Sequence, residues 1–330
     1  MIRLAVAGMA HPHVEYVLSE LTHRPNVRLV GVSEPDPSAS QRYASGLGVP
    51  TYASHKDLFD AHDLDVVAVC GEYGARADLV VAALQRGAQV LADKPLCTTL
   101  ADLDRIAEAA SAADRTVSVM FEKRGHPVTL AARRLVAEGL LGDLALIAST
   151  GPHKLNYTSR PSWFFDRARY GGILGDLAVH DIDLVLALSG ASAGSVVGRA
   201  GNLSLSEHPD FSDSGAVLLG ADGITATIEA HWLWPAASAH HGHYRMRLTG
   251  TSGTAELDWT MGTLDVVTRD RDVYSPPLGR PVRPAEEFLT SLVDGRRPEV
   301  GTTESLTATR VALLAQLSAD TGGVPQPWRQ

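Results

Sequence analysis

Five short apolar runs in the first 120 residues, separated by turns and helical patterns, constrain this chain more than any other feature. Ile2–Ala7, Val27–Ser33, Asp65–Cys70, Gln89–Ala92 and Thr116–Met120 are near-continuously apolar, as strands buried on both faces are. Amphipathic stretches stand between several of them: Pro12 to about His23, Ala75–Arg86 and Leu100–Ala113. Strands alternating with helices imply right-handed crossovers, and hence an α/β fold with a parallel sheet covered on both faces. Ligands of such sheets bind beyond the carboxyl ends of the strands.

The first strand runs into Gly8-Met9-Ala10-His11-Pro12-His13. A strand, a glycine turn and a helix with proline in its first turn form the phosphate-cradling start of a dinucleotide fold. Against Gly-X-Gly-X-X-Gly, Ala10 replaces the second glycine and His13 the third. The second strand ends at Glu34, where an acidic side chain can accept from both ribose hydroxyls and repel a 2′-phosphate, so NAD is favoured over NADP. Glu34 also fits a solvated loop carboxylate before Pro35. Two further strand ends, Cys70-Gly71 and Asp93-Lys94-Pro95, complete the expected cofactor contacts. Lys94 can donate to a substrate oxygen, or it can be a surface lysine in a turn.

Tyr170–Asp183 places two glycines before a helical pattern. Asp176, His180 and Asp183 fall on one stripe, with Leu174, Leu177, Ala178, Ile182, Val185 and Leu186 on the other. A carboxylate and an imidazole on a rigid element suit proton transfer, since an imidazole titrates near about 6.5. The same spacing also suits a helix-surface pair. Between 151 and 172, His153, Lys154, Asn156, Tyr157, Arg160, Trp163 and Phe164 interleave hydrogen-bonding groups with aromatics, which fits a polyol or sugar and equally an irregular surface connection. His153, Lys154 and Arg160 could recognise an acidic group on such a sugar.

With 330 residues, two domains are expected. Lys and Arg number 29 against 38 Asp and Glu, with no long run of either sign, which speaks against nucleic-acid binding. No apolar run approaches a membrane span, and a cytoplasmic location is expected. Cys70 and Cys97 lack a Cys-X-X-Cys spacing and read as reduced, structural thiols. His11 with His13, and His240, His241 and His243, have no accompanying cysteine or carboxylate spacing, so no metal is expected at either group.

Ala-Asp-Lys-Pro at 92–95 resembles the Glu-Lys-Pro motif of the glucose-fructose oxidoreductase, inositol dehydrogenase and MocA (Gfo/Idh/MocA) family. Gly-Gly-Ile-Leu-Gly-Asp-Leu-Ala-Val-His at 171–180 resembles that family's Gly-Gly-Gly-X-X-X-Asp-X-X-X-His. Similarity continues through Arg124, Gly142-Asp143, the stretch 249–254 and Glu287-Phe288-Leu289. The resemblance implies catalytic roles for Lys94, Asp176 and His180. It also implies a Rossmann domain over about 1–121, and an α/β domain over 122–330 that carries a large, mostly antiparallel sheet. Strands read independently at 195–200, 214–219, 225–231, 244–249, 254–259 and 263–268 agree with that sheet. Few helices follow residue 190 to cover it, so a homodimer or homotetramer is expected. The expected activity is hydride transfer between NAD(P) and a carbinol or ketone carbon of a sugar, polyol or related small molecule. Arg124, His153, Asn156, Tyr157 and Trp163 are expected to contact the substrate beside the catalytic three. Two other uses of such a chain are a lyase, epimerase or glycosidase that retains NAD and oxidises transiently, and a non-catalytic NAD- or sugar-binding sensor.

Overall fold

The computed structural model describes residues 1–330, which form two compact units. The first comprises Met1–Met120, Ala168–Tyr170 and Arg283–Leu306; the second comprises Phe121–Arg167, Gly171–Val282 and Thr307–Gln330.

In the first unit the chain runs β1 (Ile2–Met9), α1 (Val14–Leu21), β2 (Val27–Ser33), α2 (Pro37–Tyr43), β3 (Thr51–Tyr52), α3 (His55–Ala61), β4 (Val66–Cys70), α4 (Arg76–Gln85), β5 (Gln89–Ala92), α5 (Leu100–Ala113) and β6 (Val117–Val119). The six strands lie in the order β3-β2-β1-β4-β5-β6 and every pair is parallel. Chain direction across the sheet reverses between β1 and β4, the switch point at which this topology opens its ligand crevice. Helix starts are capped as their sequences require: Thr99 Oγ1 accepts from the Asp102 N–H at 3.1 Å, and the Asp36 carboxylate accepts from the Ser38 N–H at 2.8 Å. Helix α1 stops at Leu21, short of His23, and buries Val14 and Val17 against Leu4, Val6, Val32 and Val66.

The second unit contains α6 (Pro127–Ala137), β7 (Leu144–Pro152), α8 (Val179–Ser189), β8 (Ala193–Gly201), β9 (Ser214–Ala221), β10 (Ile224–His231), β11 (Arg245–Gly250), β12 (Gly253–Asp258), β13 (Thr263–Thr268) and β14 (Arg271–Tyr274). A four-residue turn, α7 (Arg167–Tyr170), precedes α8 and divides between the units. Helix α9 (Pro284–Val293) belongs to the first unit, where Ala285, Phe288 and Leu289 join the core around β1. Helix α10 (Thr302–Asp320) begins there and ends in the second unit, followed by β15 (Gln326–Arg329).

The nine strands of the second sheet run β14-β13-β12-β11-β7-β10-β9-β8-β15, antiparallel except for β7 beside β10. Alternation is plain in β11, where Met246 and Leu248 are buried while Arg245 and Arg247 point out. Helices α6, α8 and α10 cover one face; Gly198 on β8 donates to Ser318 Oγ at 3.0 Å. On the opposite face Leu146 is 55% exposed and Leu218 50%. The sequence carries no clear sign of β7: its buried positions include Ser149 and Gly151, which dilute the alternating pattern.

Candidate active site

In the first unit, the ends of β1, β2, β4 and β5 converge at the switch point. Gly8 has φ +82°, and a Cβ there would lie 2.3 Å from Gly71 Cα, so β1 and β4 can close this turn only with glycine. The Ala10 N–H is turned into the sheet and donates to the Cys70 carbonyl at 3.1 Å. Glu34 is buried at the end of β2; one carboxylate oxygen accepts from the Met9 N–H and the other from the Asp36 N–H at 2.9 Å. Burial raises its pKa, opposed by those two backbone donors. The carboxylate is therefore part of the turn and is not the solvated loop group that the sequence also allowed.

Arg76, at the start of α4, is fully buried and was not singled out by its sequence context. Its guanidinium donates to the carbonyls of Asp93 (3.0 Å), Gly71 (2.7 Å) and Pro95, and lies 4.8 Å from the Tyr73 ring centre. It thereby ties together the loops after β4 and β5. Asp93 is fully buried; its Oδ1 accepts from the Lys94 N–H at 2.7 Å and lies 2.8 Å from His13 Nδ1. Burial alone would raise the Asp93 carboxyl, but the His13 and His11 rings hold it well below the usual carboxylate range. Lys94 is buried and followed by a cis peptide bond to Pro95. Cys70 and Cys97 are both free and buried, and burial pushes the Cys70 thiol up, away from thiolate chemistry.

In the second unit, the segment read as one regular helix is not regular. Gly171 and Gly172 take φ of +87° and +113°, then Leu174–Ala178 forms a π turn that leads into α8. A Cβ on Gly172 would meet Gln316 Oε1 at 2.4 Å; that oxygen accepts from the Leu174 N–H at 3.2 Å. The whole run from Ile173 to Val185 is buried, so Asp176 and His180 are not a surface pair. Such π turns often mark functional sites in helices.

Three consecutive residues after β6 answer this segment. Glu122 Oε2 lies 3.4 Å from His180 Nδ1, Lys123 Nζ donates to Asp181 Oδ1 at 2.8 Å, and Arg124 grips Asp183 through two bonds of 2.7 Å. Lys123 also sits 4.9 Å from the Trp259 ring centre and 5.3 Å from that of Tyr244, while Phe121 meets His180 edge to face. Arg124, expected to contact substrate, thus has its guanidinium fork on a buried carboxylate. Asp183, read as part of the reactive stripe, is its structural partner.

The other expected substrate residues are distributed. His153 packs against Trp232, Tyr244 and His241, with Nδ1 3.0 Å from the Gly151 carbonyl. Tyr157 is exposed and its hydroxyl lies 3.0 Å from His208 Nε2; Asn156 has φ +51°, and Trp163 is buried beside Phe164. Lys154 donates to the Ser238 carbonyl. Arg160 donates to the Leu155 carbonyl at 2.8 Å while stacking on Phe164 and Trp232. Both cations thus make internal contacts to backbone carbonyls. His243 holds Asp258 at 2.9 Å, while His240 and His241 are exposed.

A six-stranded parallel sheet in this order, with a glycine turn and a terminal glutamate, has the form of a dinucleotide-binding α/β unit. Residues 2–121 match the family model described as "Oxidoreductase family, NAD-binding Rossmann fold", and residues 129–256 that described as "GFO/IDH/MocA C-terminal domain". The chain belongs to the Gfo/Idh/MocA family of NAD-binding oxidoreductases. An oxidoreductase from Thermotoga maritima shares its fold with a TM-score of 0.91 at 23% identity, all of both chains being covered. An inositol dehydrogenase homologue from Azotobacter vinelandii, solved with NAD+, superimposes with a TM-score of 0.83 at 20% identity, covering 99% of this chain and 97% of that one. The scyllo-inositol 2-dehydrogenase (NAD(+)) of Bacillus subtilis is 23% identical over 258 residues, 77% of this chain and 72% of its own. No helix is long and apolar enough to cross a membrane.

Proposed function

We propose that this protein moves a hydride between NAD and the carbinol or ketone carbon of a sugar, polyol or related small molecule, with His180 as the acid/base. The observation that carries the reading is the buried His180 imidazole, set in the first turn of α8 just past the π turn, with a carboxylate 3.4 Å from its Nδ1. An imidazole can accept and return a proton near neutral pH, as this chemistry requires. NAD, when bound, supplies the hydride acceptor or donor. Glycine-closed backbone after β1 and the buried Glu34 fit its pyrophosphate and ribose. In oxidation, His180 takes the hydroxyl proton as the C–H hydride leaves; in reduction it returns that proton to the carbonyl oxygen. Lys94 would hydrogen-bond the reacting oxygen, and Asp176 a neighbouring hydroxyl or the imidazole. The B. subtilis relative, named for an inositol, supports a polyhydroxylated substrate.

The exposed sheet face around Leu146 and Leu218 supports a homo-oligomer in which that face is covered by another copy. Light scattering on a sizing column tests this; a monomer at micromolar concentration rejects it. For the activity, the test is to assay denatured protein for released NAD(H) and NADP(H), titrate the stripped protein with both, and screen neutral against acidic sugars and polyols. NAD binding with NADH formation on a polyol is expected. Absence of binding to either dinucleotide would reject the reading in favour of a non-catalytic role.

A further inference from the structure

The carboxylate that the sequence does not place near His11 and His13 arrives from 80 residues away. Asp93, at the end of β5, lies with Oδ1 2.8 Å from His13 Nδ1 and Oδ2 3.0 Å from His11 Nδ1; all these ligand atoms fall within 4.8 Å of one another. Asp93 is fully buried, whereas the two imidazoles are 13% and 18% exposed, which leaves the cluster open on its histidine side.

The two contacts differ in kind. His13 Nδ1 meets Oδ1 as an ordinary hydrogen bond. Oδ2, though only 3.0 Å from His11 Nδ1, takes part in no hydrogen bond of acceptable direction. His11 Nδ1 also faces the His13 backbone N–H at 3.5 Å, a donor it can meet only with its lone pair. When His11 Nδ1 carries no proton, its lone pair and that of Oδ2 face each other in a buried place, an arrangement that a cation between them relieves. Ligands about 2.1 Å from one ion and about 3.0 Å apart subtend close to a right angle at the metal, as in octahedral rather than tetrahedral coordination.

We propose that His11 Nδ1, His13 Nδ1 and the Asp93 carboxylate form a binding site for a divalent first-row transition-metal cation. Two imidazoles and one carboxylate select cobalt, nickel, iron or zinc over magnesium and calcium. The Arg76 guanidinium, 3.5 Å from Oδ2, offsets the carboxylate charge and sharpens that preference by weakening purely electrostatic binding. The remaining coordination positions face the exposed side and are left to water or an incoming anion.

The site is tested without turnover, so its failure is separable from failure of the oxidoreductase reading. Tag-free protein is stripped with chelator and titrated with Co2+ by calorimetry and visible absorption, beside His11→Gln, His13→Gln and the double variant, each checked by circular dichroism. One cobalt per chain is expected. Each single variant should weaken it by at least the about 10–100-fold that loss of an outer-shell partner costs, and the double variant should abolish it. Mg2+ should not compete. In the wild type, proton NMR of the cobalt form should show two shifted, exchangeable ring N–H signals, because both histidines bind through Nδ1; this reading needs no variant to fold. Absence of a one-to-one event, absence of those two signals, or binding that survives in the double variant overturns the site.

Discussion

Arg124 distinguishes a substrate ligand from a structural post. Its two bonds to Asp183, each 2.7 Å, join side chains only 9% and 1% exposed. Arg124→Ala leaves the Asp183 carboxylate buried without its counter-charge, at a cost of about 3–5 kcal/mol, and should lower the melting temperature on the order of 10 °C. Arg124→Leu with Asp183→Leu removes both charges together, so most of that loss should return, as buried pairs are commonly near neutral against apolar replacements. Arg247 with Glu256 is an internal control: 60% and 47% exposed, it should contribute about 0–1 kcal/mol. The assay is urea unfolding followed by tryptophan fluorescence on Arg124→Ala, the Leu/Leu double variant and Arg247→Ala, with KM measured for any substrate found. If Arg124→Ala unfolds like Arg247→Ala while KM rises sharply, the structural reading of Arg124 is wrong and its guanidinium binds substrate.

Other expectations follow from the same geometry. His180→Ala should lower kcat by about 10²–10⁴-fold with NAD affinity nearly intact, as read by calorimetry; retained turnover rejects His180 as the base. Glu122→Gln removes the carboxylate beside the imidazole and should lower kcat while leaving NAD affinity intact, read by turnover beside calorimetry; unchanged turnover would make Glu122 purely structural. Glu34→Ala should weaken NAD binding and narrow the preference for NAD over NADP, checked by titrating both; an unchanged ratio would leave discrimination to another group. Asp213, fully buried, accepts from the Leu203 N–H (3.0 Å) and from the Ser204 N–H and hydroxyl (both 2.7 Å). Burial acts to raise its pKa, yet these donors leave it below the ordinary carboxyl value. Its stabilising contribution is therefore present above about pH 3.9 and lost as pH falls through the lowered folded value. Asp213→Asn should cost about 1–3 kcal/mol near neutrality, and the difference from wild type should shrink in acid; a gap that is constant with pH would refute the assignment.

What the sequence makes legible, and what it hides, follows from how far each pattern reaches. The strands of the first unit are visible because burial on both faces makes each a continuous apolar run, and β11 to β13 are visible because one open face enforces alternation. Strand β7 hides because serine and glycine occupy two of its buried positions. The four-residue spacing of Asp176 and His180 is the same whether the turn between them is α or π, so only the glycines hint at irregularity. Arg76 and the union of His11, His13 and Asp93 depend on strand order, which no local pattern carries. Glu122 lies between these cases. The triplet Glu122-Lys123-Arg124 is complementary to His180-Asp181 and Asp183, basic against acidic twice and acidic against imidazole once. Two buried ion pairs fix the short helical turn over 122–125 against α8, and that fixation places the Glu122 carboxylate at His180 Nδ1. The pairs that look purely structural thus fix which carboxylate stands beside the proposed base. A variant that loosens Arg124 from Asp183 should accordingly lower turnover as well as the stability of the unit.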